Sequence, residues 1–400
     1  MRRRFFTFLV IFLLAAPTLV IAQAPLRDNA YVRIYDHDDP ANPTAYTMVF
    51  TSTAERSLSK TPVETTSTIT FSPDGTWRGE TFYSAEDGTP TLSYGKVGDP
   101  VQNTIEAPAN TSLLFSEFTP DNRLMAYSVI DWTAQGWQLF IIELATGNTV
   151  IFAGAITFSE TNGLVGGVAP LGWGADSKTL YLVGVSLDGL ATPPFAVDLG
   201  NLNFAVDGTN GLPEPKPLLS PEQLGFPFYF VFSPDHTKLA YVYADTTHPV
   251  DGYMGRGEPI NTIGIVDLAT GAARKVVEAP TDHTVENVVW SVDGGAVLYT
   301  ASSWRADRAG QPFNPQLYAH VLATETSTSP IDFTANDEAY VGFLMPCEKT
   351  LYFAVTDPPT IEGSTGITTL YSAPLSNPTE WSAPLLSGYI LISRVACVGN

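Results

Sequence analysis

Apolar positions along this chain come in short runs separated by Pro, Gly, Asp, Asn and Thr, and the stretch 112–152 shows the pattern most clearly. Residues 112–118 are largely apolar and end on Phe118, and Thr119-Pro120-Asp121-Asn122 follows. Leu124-Met125-Ala126-Tyr127-Ser128-Val129-Ile130 is apolar again. A polar connection, 131–136, leads to Trp137-Gln138-Leu139-Phe140-Ile141-Ile142-Glu143-Leu144. Then come Ala145-Thr146-Gly147-Asn148 and the run 149–152. β-Branched and aromatic runs bounded by turn residues predict four short strands joined as an antiparallel meander.

The same cassette recurs. Phe118-Thr119-Pro120-Asp121-Asn122 matches Phe71-Ser72-Pro73-Asp74-Gly75 and Phe232-Ser233-Pro234-Asp235-His236. Trp173-Gly174-Ala175-Asp176-Ser177 and Trp290-Ser291-Val292-Asp293-Gly294 are looser copies. Leu344-Met345-Pro346-Cys347-Glu348 and Val395-Ala396-Cys397-Val398-Gly399 are degenerate ones. The first positions lie 47, 55, 59, 58, 54 and 51 residues apart. The later hairpin returns too, as Leu268-Ala269-Thr270-Gly271 and Leu322-Ala323-Thr324-Glu325. A strand-filled period of roughly 40–50 residues or slightly more is the spacing of propeller blades. The expected fold is therefore all-β: a β-propeller of six or seven four-stranded antiparallel blades. Strands at 31–35 and 45–50 would complete the last blade by pairing with 389–395, closing the ring and removing exposed strand edges. The domain reading is a signal segment over 1–22 and one propeller over 23–400. Its repeats occupy 66–400, and residues 23–65 supply the closing strands. Helix is expected only in the signal segment and in short pieces such as 220–224.

The turn residues have a mechanical role. Pro presets φ for the first corner, Asp accepts hydrogen bonds from nearby backbone N–H groups, and Gly, Asn or His tolerates the strained corner after it. The preceding Phe or Trp is a large apolar plug between blades. These aspartates are read as structural. The Phe/Trp-Ser-Pro-Asp-Gly turn, with its following apolar strand and Leu-x-Thr-Gly hairpin, resembles the WD40-like (PD40) repeat of TolB-type β-propellers, from about residue 66 onward. The resemblance specifies the blade and not a reaction. About 45 residues separate Ala22 from the first repeat, too few for the α/β domain that precedes the TolB propeller. The hydrolase domain of prolyl oligopeptidases, with its Gly-x-Ser-x-Gly elbow, has no counterpart either.

Charge narrows the partners. A formal net charge of −21 opposes phosphate backbones and anionic membrane surfaces, so nucleic acid is not expected. Arg2-Arg3-Arg4, the apolar run from Phe5, and Val20 and Ala22 ahead of a cleavage point form a signal-peptide pattern. The expected destination is the periplasm or cell exterior, without stable membrane insertion after cleavage. The two cysteines, Cys347 and Cys397, fit an exported protein with one disulfide.

Catalytic signals are sparse. The five histidines show no zinc-ligand spacing. Asp36-His37-Asp38-Asp39 lacks the regular spacing of a calcium loop and reads as a solvated turn. No cofactor is expected. In a four-stranded meander the Pro-Asp-Gly turns and the Thr-Gly hairpins share one face of the disk. The connections between second and third strands lie on the other. Those connections are long at 244–259, 302–315 and 356–366, and they carry Tyr253, Arg256, Trp304, Arg305 and Arg308, with Trp132 in a shorter one. Arginine beside aromatic residues on loops of a rigid scaffold is binding chemistry. The expectation is a monomeric scaffold that binds a protein or an anionic, carboxylate-bearing ligand through this face. The alternative is a lactonase-, glycosidase- or lyase-like propeller enzyme with its site at the channel mouth, which would need carboxylates or metal ligands converging from several blades.

Overall fold

Strand pairing accounts for the alternation of apolar runs and turns. The computed structural model describes residues 29–398 apart from 37–43, 51–55, 60–67, 84–87, 100–101, 132, 135, 156, 160–162, 166, 186–193, 205–208, 220–225, 245–259, 281–282, 304–312, 333–338, 358–365, 376–383 and 389. Among the described residues there is no helix, and the strands form six four-stranded sheets, one five-stranded sheet and a small two-stranded hairpin. The five-stranded sheet is the same four-strand meander with one short strand added, so the ring has seven blades.

In chain order, the inner strands of blades one to seven are Thr68–Phe71, Thr111–Phe118, Gly167–Trp173, Phe226–Phe232, His283–Trp290, Tyr340–Pro346 and Ile390–Val398. In blade two, Leu124–Asp131, Gly136–Glu143 and Thr149–Ala155 follow outward, as the sequence pattern predicts. The seventh blade joins both parts of the chain. Its inner strand pairs antiparallel with Asn29–Asp36, which pairs with Thr44–Phe50, which pairs with Arg56–Ser59. The first two of these early strands match the expected closure; the third is added by the structure.

The core is a set of seams between neighbouring blades. Leu92 and Tyr94 of blade one meet Phe118 and Met125 of blade two. Leu139 and Ile141 of blade two meet Val168 and Trp173 of blade three. Blades four and five, five and six, and six and seven are joined the same way. A strand with a blade packed on each side is buried on both faces, so it reads as a continuous apolar run and not as an alternation. The second strand of blade two is such a case, whereas the outer strand of blade one, Asn103–Glu106, is mostly exposed.

Two degenerate turn copies sit differently from the sequence reading. In regular copies the residue after the aromatic plug bonds five residues on, as in Ser72 N–H to Trp77 O at 2.9 Å. In blade six Cys347 N–H bonds Thr350 O, only three residues on, at 2.8 Å, and the strand pair just before it is Pro346 with Leu351. Pro346 therefore holds the place of Phe71, and the turn is two residues shorter. In blade seven, 395–398 is strand and not turn, because its partner comes from the other part of the chain. The expected helical piece at 220–224 lies outside the described residues, as does the signal segment 1–22.

Candidate functional site

The repeated turns form a ring around one end of the propeller axis. In the first turn a buried hydroxyl organises the backbone: Ser72 Oγ accepts from Trp77 N–H at 2.9 Å and donates to Asp74 Oδ1 at 2.6 Å. Ser233 and Ser291 do the same toward Asp235 and Asp293, each donating at 2.6 Å. The aspartates also accept backbone N–H groups two residues on, at Thr76, Thr237 and Gly295. Burial works to raise the Asp235 carboxyl, but hydrogen bonds from Ser233 and Thr237 outweigh it and hold it at about 2. For Asp293 the Ser291 hydroxyl bond is the main cause of a lowered value. These carboxylates are structural anchors, as the turn chemistry implies.

The residue after each Asp adopts a left-handed conformation: φ is 73° at Gly75, 61° at Asn122, 55° at Ser177, 54° at His236 and 68° at Gly294. Where it is not glycine, its side chain reaches the preceding blade. Asn122 Oδ1 accepts from Asp74 N–H at 3.0 Å, and Ser177 Oγ accepts from Asp121 N–H at 3.1 Å. His236 Nδ1 donates to the Trp173 carbonyl at 2.7 Å. Further round, Trp290 Nε1 donates to Val231 O at 2.9 Å and Asn287 Nδ2 to Val341 O at 2.7 Å. Blades six and seven are joined covalently by the Cys347–Cys397 disulfide, with Cα atoms 5.6 Å apart. Reasoning on the turn motif missed the hydrogen-bonded ties, because each depends on a partner 48 to 63 residues away, whereas the disulfide is the one expected from the two cysteines.

Inside this ring the inner-strand ends leave a cavity of about 600 Å³. Its lining comes from blades one, two, four, five, six and seven and is mainly apolar: Phe71, Phe118, Trp290, Met345 and the prolines of the turns. Its titratable lining groups are His236 and Glu348. The volume lies in the range of small-molecule pockets. A separate half-buried carboxyl, Glu286, sits on the inner strand of blade five, where burial raises its pKa and Ser302 Oγ donates to it at 3.2 Å. Among the described residues no group of three or more His, Cys, Asp or Glu is placed to hold a metal ion.

Trp132, Tyr253, Arg256, Trp304, Arg305 and Arg308 all lie outside the described residues. The strands they connect are described: Lys238–Ala244 to Thr262–Asp267 in blade four, and Ala296–Ser303 to Phe313–Val321 in blade five. These are the second and third strands of adjacent blades, and the strand ends that face each of the two connections lie away from the repeated turns.

No family model and no curated protein matches this chain. Solved structures do. One of two prolyl endopeptidases is 11% identical over 90% of this chain and 49% of its own, with a TM-score of 0.52. Oligogalacturonate lyase in complex with manganese is 14% identical over 88% and 83%, at 0.51. TolB from Acinetobacter baumannii is 15% identical, with a TM-score of 0.45; 75% of this chain spans 62% of the TolB chain. At such identities the likeness is one of fold. The fold is a β-propeller.

Proposed function

We propose that this chain is an exported β-propeller, built of TolB-like PD40 repeats, that acts as a monomeric binding scaffold. Its partner is a protein or other carboxylate-bearing ligand, engaged through the long-connection face by Trp132, Tyr253, Arg256, Trp304, Arg305 and Arg308. The observation that carries the reading is topological: the longest second-to-third strand connections fall in four successive blades, three to six, of a ring held rigid by its seams. Rigid scaffolds commonly present binding residues on such loops. Arginine supplies a planar fork for carboxylates, and neighbouring rings exclude water from the contact. The Arg2-Arg3-Arg4 run and its apolar continuation support export. Among the described residues no helix is long and apolar enough to cross a membrane.

The test uses a partner recovered by pull-down. Replacing Arg305 and Arg308 together with Ala is expected to weaken it by about 2 kcal/mol or more at unchanged thermal stability. The double change Thr146→Ala with Thr270→Ala, on the opposite face, should leave binding intact. Equal effects from both pairs would reject the face assignment.

A further inference from the structure

The cavity within the turn ring has a chemistry unlike that of the long-connection face, and we propose that it is a second site, for a small organic cation with an apolar body. Three observations converge. First, the space is built: buried Phe118 and Trp290 form part of the wall, and Val292, 38% exposed, stands at the rim. Second, its titratable groups offer acceptors. His236 spends its Nδ1 proton on the Trp173 carbonyl, which leaves Nε2 of the neutral ring as an acceptor; Glu348 adds a carboxylate. An ammonium group offers the N–H donors that such a pair accepts, and the aromatic wall favours cations by attraction to the ring faces. Third, the surrounding face is acidic. Asp74, Asp121, Asp176, Asp235 and Asp293 stand one per blade around the mouth, with Glu143 and Asp267 in the hairpins of the same face. Hydrogen bonds keep Asp235 and Asp293 ionised. The basic residues of the same turns and hairpins, Lys96, Arg123, Lys178, Lys238, Arg274 and Lys349, are fewer, and neither they nor these seven acids line the cavity. A cleft in a field of one sign concentrates ligands of the other.

The probe is 2-phenylethylammonium, titrated calorimetrically into the full chain at low ionic strength, with 3-phenylpropionate as the anionic counterpart of similar size. One amine is expected to bind per chain, at least about tenfold more tightly than the acid. Glu348→Gln should weaken the amine by about five- to tenfold, and Val292→Trp, which closes the rim without entering the core, should abolish binding. Both variants should melt like the wild type. The inference is overturned if the amine does not bind, if the acid binds equally well, or if neither variant changes the affinity, since binding would then lie elsewhere on the acidic surface. Loss of this site would leave the long-connection face untouched, so the two assignments fail separately.

Discussion

At the scale of single residues, the left-handed corner after each turn aspartate combines a steric cost with a tie to the neighbouring blade. A non-glycine residue there costs about 1 kcal/mol or more, and Asn tolerates the conformation best. Asn122→Gly removes the cost along with the tie to Asp74, so the two changes partly cancel. Asn122→Ala keeps the cost and loses the tie. Urea unfolding should therefore show Ala destabilised by about 1–2 kcal/mol and Gly by clearly less. If the two variants unfold alike, the side-chain tie contributes nothing. The Pro-Asp core of the turn was legible in the sequence because each copy carries its own chemistry. The role of Asn122, Ser177 and His236 was not, since it depends on which backbone group the neighbouring blade presents. Protonation acts at this scale as well. Asp235, held at about 2, stabilises the fold above the ordinary carboxylate value, and that contribution is lost as pH falls from about 4 towards 2. His320 shifts the other way: burial, then the positive charge of Arg274, lowers its pKa from 6.5, and its Nε2 has no hydrogen-bond partner among the described residues. The unfolded chain takes up that proton more readily, so stability should be flat above about pH 6.5 and fall below it. Melting curves between pH 8 and 5 check this, and a His320→Gln variant should flatten the slope.

At the scale of elements, the blade-six turn shows where pattern matching reaches its limit. Cys347 and Cys397 were expected to pair because both stand in degenerate turn copies of successive repeats, and the structure joins them. The register of the first copy is nevertheless displaced by two residues, because a shorter turn places Pro346 where other blades carry an aromatic plug. Motif letters cannot reveal a deletion inside a turn, whereas strand pairing can. The bridge spans a sequence separation of 50, which the chain-entropy model values at about 4 kcal/mol. Thiol titration of the unreduced, denatured protein should find no reactive thiol. The double variant Cys347→Ser with Cys397→Ser should melt at a clearly lower temperature. An unchanged melting point would mean that backbone pairing alone holds the last strand.

At the scale of the molecule, the repeat period made the ring legible but left six or seven blades open, since the last blade is not contiguous in sequence. Its outer three strands and its inner strand lie at opposite ends of the described chain, and only the pairing of Asn29–Asp36 with Ile390–Val398 shows that they form one sheet. That arrangement has a consequence in time. The strand ending at Asp36 must wait for one that begins at Ile390, and at about 5–20 residues per second synthesis alone takes on the order of 20–70 s to supply it. Contacts this far apart in sequence also form slowly once the chain is complete. Throughout that interval one edge of the first-made sheet has no partner, and a chain stopped short of residue 390 never provides one. Ring closure thus works as a proofreading step for length, since only a chain that has been made to its last strand can hide its first.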